Sequence, residues 1–118
     1  SITNPQIYIK IDADRPTEEL KMIAKVALET QIDGIILGSC TENRSSTEKQ
    51  YIGGNLKNEV AVKALKTISE ISKGKLTLMS SGGVWSGADV LERIKAGASI
   101  VQIWTSFAVN VNKLNFFC

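Results

Sequence analysis

The chain contains no histidine. That removes the side chain most used as a general base near neutral pH, and the commonest metal ligand. Any acid–base chemistry must come from a carboxylate, a lysine, a cysteine or a bound cofactor. Cysteine is almost missing too. Cys40 and Cys118 form neither a CxxC pair nor a zinc spacing, and two thiols cannot build a disulfide framework, so a reducing compartment is the default expectation. No apolar run approaches the ~18 residues of a membrane span. Charge of one sign is not in excess. Lys and Arg total 14 against 12 Asp and Glu, a net charge of +2. The lysines are interspersed with acids, as on a solvated surface, and give no reason to expect a nucleic-acid partner. The first residues, Ser1-Ile2-Thr3-Asn4-Pro5, lack both a signal-peptide pattern and a methionine, and read as an entry into the middle of a longer chain.

What is present is a packed α/β pattern. A length of 118 residues suits one small domain, and 43% hydrophobic with 22% charged residues suits a folded rather than a disordered chain. Gln6-Ile7-Tyr8-Ile9-Lys10-Ile11 alternates like a strand. After the loop Asp12-Ala13-Asp14-Arg15-Pro16, Thr17 is expected to cap a helix whose first turn carries Glu18 and Glu19. Its apolar face is Leu20, Ile23, Ala24, Ala27 and Leu28. Asp33-Gly34 turns the chain into Ile35-Ile36-Leu37, a short apolar run of the kind found in strands buried on both faces. Residues 39–54 are polar and aperiodic, longer than a usual connection. Ala61, Ala64, Leu65 and Ile68 mark a second helix, stopped near Gly74, and Leu76-Thr77-Leu78-Met79 a third strand. Ser86 and Asp89 fit a capping box for a third helix lined by Val90, Leu91 and Ile94 and ended by Gly97. Ser99-Ile100-Val101-Gln102-Ile103 is a fourth strand. The residues after Phe107 read as a weak fourth helix, opposed by Asn110, Asn112 and Asn115.

Strict β-α alternation predicts parallel strands joined by right-handed crossovers. Four β/α units are half of a (β/α)₈ TIM barrel, and four strands cannot close, so both edge strands would be open. The expected fold is the C-terminal half of such a barrel, with a small open α/β domain as the alternative. The stretch Ser80-Ser81-Gly82-Gly83-Val84-Trp85-Ser86-Gly87, followed by Ile100-Val101-Gln102-Ile103-Trp104-Thr105, is the feature that points to a ligand. In such barrels the last two loops bind phosphate with backbone N–H groups and a helix N-terminus, which points to a phosphorylated ligand such as a flavin nucleotide.

Over about residues 5–108 the sequence resembles the dihydroorotate dehydrogenases, most closely the class 2, quinone-reducing branch. The likeness is carried by Ile9-Lys10-Ile11, Thr17-Glu18-Glu19, Ile32-Asp33-Gly34, Asn43-Arg44, Gly53-Gly54 and Gly82-Gly83-Val84-Trp85-Ser86-Gly87. Its most specific part is Lys95-Ala96-Gly97-Ala98-Ser99-Ile100-Val101-Gln102-Ile103-Trp104-Thr105, where the family usually reads Arg-Ala-Gly-Ala-Ser-Leu-Val-Gln-Leu-Tyr-Thr. The resemblance implies an FMN enzyme on a TIM barrel that oxidises dihydroorotate to orotate in pyrimidine biosynthesis and passes the electrons to a quinone. It implies that Lys10 approaches the flavin ring, where a cation stabilises the charge that builds up as hydride arrives. It also implies that Gly38, Gly82, Gly83, Trp104 and Thr105 belong to the FMN site, the last four around the phosphate. For the eukaryotic class 2 enzymes it implies the mitochondrial inner membrane, with membrane contact made only by an N-terminal segment absent here.

The departures fall on the substrate side. Where the family has Thr-Asn-Thr, this chain has Gly38-Ser39-Cys40, so Ser39 and Cys40 stand at substrate positions without the carboxamide that pairs with the pyrimidine. Gly53-Gly54-Asn55-Leu56-Lys57 loses the last glycine of the family's Gly-Gly-Leu-Ser-Gly, and Ser80-Ser81 replaces Gly-Val. The family's catalytic base precedes this region of the barrel, so no catalytic residue and no metal ligand is assigned. Two functional readings follow. Residues 1–118 form a partial FMN-binding barrel domain of a dihydroorotate dehydrogenase, inactive on its own. Alternatively they form a non-catalytic half-barrel that keeps a phosphate or flavin site.

Overall fold

The computed structural model describes residues 4–38 and 56–109. The order is β1 (Tyr8–Asp12), α1 (Thr17–Glu29), β2 (Gly34–Gly38), α2 (Asn58–Ser72), β3 (Thr77–Ser81), α3 (Gly87–Lys95), β4 (Ile100–Gln102) and α4 (Thr105–Val109). The strands form one parallel sheet in the order β1-β2-β3-β4. Four consecutive β/α units in sequence order around a parallel sheet are half of a TIM barrel. Each predicted strand is present.

Side chains alternate across a strand, so residues paired in register share a face. Ile9, Ile35 and Leu78 form one row, and Ile11, Leu37, Ser80 and Val101 another. The apolar members of both rows belong to or pack against a single core with Leu20, Ala24 and Ala27 of α1 and Ala61, Ala64, Leu65 and Ile68 of α2. The i, i+3/i+4 spacing of those helical residues is what lets them line that face. A fully buried Leu or Ile contributes about 1.5–3 kcal/mol by leaving water, and Ile35, Leu65 and Ile68 are all fully buried. The alternate rows, Tyr8-Gly34-Thr77 and Lys10-Ile36-Met79-Ile100, face the other way. That is the side a closed barrel turns inward.

Local details correct two expectations. Thr17 is the first helical residue; the cap position is Pro16, and no side chain caps α1. Proline's fixed φ suits a helix entry, so no hydroxyl cap is required there. Helix α3 does carry the predicted capping box. Its expected apolar lining is wrong, however: Leu91 and Ile94 are 52% and 49% exposed. The one fully buried side chain of α3 is Arg93. Helix α2 ends through Lys73 in the left-handed region followed by Gly74, as the glycine suggested.

Candidate functional site

Because all four strands are parallel, their C-terminal ends lie at one end of the sheet. Gly38 closes β2, Gly82-Gly83 follow β3, and Trp104-Thr105 follow β4. Lys10 lies in β1 opposite Ile36, and Asp12, two residues on, pairs with Gly38. The Lys10 side chain leans along that end: its Cε is 3.5 Å from where a Cβ on Gly38 would stand, and Ser81 Cβ is 3.0 Å from the same point. Glycine at 38 therefore leaves room for two neighbours at once. Lys10 makes no ion pair or hydrogen bond among the described residues. Ser39 and Cys40, the expected substrate contacts, lie outside the described residues.

The β3–α3 turn is held from several sides. Gly82 and Gly83 both have positive φ, 88° and 65°, a region that favours glycine. Gly83 is constrained further. A Cβ there would fall on the backbone carbonyl of Leu56, so the turn and the residues before α2 approach as only glycine permits. Its nearest obstacle is protein backbone.

The N-terminus of α3 is not vacant either. Asp89 Oδ2 accepts from the Trp85 N–H at 2.9 Å and the Ser86 N–H at 3.1 Å, and Asp89 N–H donates to Ser86 Oγ at 3.1 Å. A carboxylate of the helix itself occupies the positive end of the dipole. Ser86 is therefore committed to the capping box. Among the described residues the N–H groups of Gly83 and Val84 meet no acceptor, and neither do those of Gly87 and Ala88 in the first turn of α3.

Arg93 was missed from the sequence. Its side chain is 0% exposed. Nη1 donates to Gly82 O at 2.6 Å and Ser80 Oγ at 3.1 Å, Nη2 to Gly83 O at 3.2 Å, and Nε to Asn58 Oδ1 at 3.2 Å. Burial pushes its pKa down, while the charges of Asp89 and Glu92 push it up. Asn58 in turn donates to Glu92 Oε2 at 2.6 Å. The available signal was spacing: Arg93 follows Val90 by three residues, on the stripe an apolar residue should hold. After β4, the Trp104 side chain is 79% exposed. Any phosphate contact there would use the backbone, which tolerates the change from the family's tyrosine.

The comparisons agree with this geometry. Residues 1–114 match the family model described as dihydroorotate dehydrogenase. The mitochondrial dihydroorotate dehydrogenase (quinone) of Kluyveromyces lactis is 36% identical over 115 residues, 88% of this chain and 26% of that protein. The mouse protein of the same name is 31% identical over 109 residues, 86% of this chain and 28% of that protein. A crystal structure of the Eimeria tenella enzyme in complex with ferulenol superposes with a TM-score of 0.80 and 31% identity, over 92% of this chain and 31% of that one. The chain thus spans about a quarter of the length of the curated relatives it matches.

Proposed function

We infer the function from one premise: the chain belongs to the dihydroorotate dehydrogenase family. We propose that residues 1–118 form a partial barrel domain that supplies the FMN-phosphate end of a quinone-dependent dihydroorotate dehydrogenase and does not turn over by itself. The observation that carries this is the Gly82-Gly83 turn. It puts two successive N–H groups that meet no acceptor among the described residues at the C-terminal end of the sheet, at the same end as Lys10 and Gly38. The donor set fits a phosphate monoester. Backbone N–H groups in a positive-φ turn make an anion-binding concavity and need no charged side chain of their own. Trp104 and Thr105 add backbone donors after β4, and Lys10 extends toward the flavin ring.

Bound flavin supplies the acceptor for the hydride that leaves dihydroorotate. The chain's own residues bind and orient it. Lys10 places a cation where negative charge develops, and the turn anchors the ribityl-phosphate tail. Ser39 and Cys40 stand on the substrate side, and neither provides the paired donor and acceptor of a carboxamide. Orotate affinity is therefore expected to be weak beside FMN affinity. Quinone remains the electron acceptor of the whole enzyme, in pyrimidine biosynthesis. A mitochondrial location, at the inner membrane through a segment outside these residues, follows the eukaryotic relatives named mitochondrial. Among the described residues no helix is long and apolar enough to cross a membrane.

The test is a visible spectrum of the purified, desalted protein carrying this chain, followed by titration calorimetry with FMN and with orotate. Flavin absorption and FMN uptake, with weak or no orotate binding, are expected. A colourless protein that takes up no FMN would refute the reading, as would tight orotate binding without flavin.

A further inference from the structure

We propose that Arg93 is a positioning residue for the flavin phosphate: buried behind the β3–α3 turn, it holds the Gly82 and Gly83 carbonyls so that the next two N–H groups face the anion. This rests on the phosphate site proposed above and names the part of the protein that builds it. The argument starts from the peptide plane. In a trans peptide the C=O of one residue and the N–H of the next point in opposite directions. Gly82 O accepts from Arg93, so Gly83 N–H points away from the guanidinium. Gly83 O also accepts from Arg93, so Val84 N–H does the same. Neither of these N–H groups meets an acceptor among the described residues.

The neighbouring donors are already committed, since Asp89 takes the Trp85 and Ser86 N–H groups. Glycines at positive φ would otherwise be free to rotate these planes, because glycine has the widest conformational range of any residue. A planar guanidinium with donors in a fixed fork can grip two carbonyls together, which a single ammonium does less well. Ser80 Oγ from β3 and Asn58 Oδ1 from the start of α2 fix the guanidinium in turn. Arg93 is fully shielded, so it acts through the backbone and does not itself touch the ligand.

The prediction concerns the phosphate specifically. Riboflavin carries the same ring and ribityl chain as FMN and lacks the phosphate, so the ratio of the two dissociation constants reads the phosphate contacts, apart from the ring and ribityl chain. In the protein carrying this chain, Arg93→Gln should lower the preference for FMN over riboflavin about 10- to 100-fold, with riboflavin affinity nearly unchanged, and Arg93→Lys should fall between it and the unaltered protein. Should Arg93→Gln fail to fold, Ser80→Ala and Asn58→Ala each remove one support of the guanidinium and should lower the same ratio about threefold. A ratio unchanged in the folded variants, or FMN and riboflavin weakened equally, would overturn the positioning role. If the unaltered protein binds FMN no better than riboflavin, the phosphate site itself is wrong, which is a separate result from the first two.

Discussion

The two faces of the sheet differ sharply. One row holds Ile9, Ile35 and Leu78, sealed beneath α1 and α2 in a continuous core. The row one residue away holds Lys10, Ile36, Met79 and Ile100, none of them part of that core. Ile36 and Met79 are partly exposed, and Ile100 is nearly half exposed. Both rows are chiefly apolar, so composition does not separate them. Coverage does. A strand in a closed α/β barrel needs apolar residues on both faces, one for its helices and one for the packed interior. Four units supply helices for the first face and only half the strands needed to fill the second. Among the described residues, helices cover the first face and no element covers the second.

The largest expected effect breaks that comparison directly. Ile35→Ala empties a fully buried site and should cost about 2–5 kcal/mol in urea unfolding. Ile36→Ala, its neighbour on the other face, should cost less, about 1–2 kcal/mol in residues 1–118 alone, because that side chain is only partly buried. Equal costs for the two would mean that the inward face is covered in solution. A dependence of the Ile36→Ala cost on protein concentration would then identify a second copy as the cover, as unpaired edges at β1 and β4 allow.

A second test concerns Gly83, which belongs to the rigid end of the sheet. Gly83→Val forces a β-branched residue to positive φ and drives its Cβ onto the Leu56 carbonyl. The strain and the overpacking together should cost about 2–4 kcal/mol. Flavin should be lost from this variant through disruption of the turn, so FMN and riboflavin should weaken together. That is the opposite of the pattern expected for Arg93→Gln. A Gly83→Val protein of undiminished melting temperature would show that the turn can move away from Leu56, and would remove the rigidity on which the contrast depends.

Much of this architecture was legible from residue patterns, and the reason is physical. Period-2 and period-3.6 apolar spacing locates β1, α1 and α2 because each must bury one face to exist, and β2 shows as a short continuous apolar run after Asp33-Gly34. The capping box at Ser86 and Asp89 is equally local, needing only residues three apart. What could not be read depends on contacts across the chain. Arg93 meets Asn58, Ser80, Gly82 and Gly83 from 10 to 35 positions away. Spacing three residues after Val90 puts Arg93 on the apolar stripe, but only the fold supplies its partners. The contact of Gly83 with the Leu56 carbonyl is likewise non-local. The misassigned face of α3 has a related cause. Leu91 and Ile94 are apolar at helical spacing, which predicts burial, yet they are half exposed among the described residues.

That last point yields the smallest expected effect. Leu91 is half exposed on α3, next to the open edge of the sheet at β4. In residues 1–118 alone, Leu91→Lys should change stability by no more than about 0.5 kcal/mol, as surface substitutions usually do. In a closed barrel α3 has a neighbouring helix on each side, and the same change would bring a charge into a helix–helix contact. The cost should then rise to about 1–3 kcal/mol, set by the desolvation of the lysine and the lost apolar contact. Thermal melts of Leu91→Lys in residues 1–118 and in a barrel completed by the first half of a relative would measure the difference. A large loss in residues 1–118 alone would mean that α3 already packs against something through Leu91. An equally small loss in both would mean that the outer layer of these four units is finished at α3, and that completing the barrel adds only to its interior.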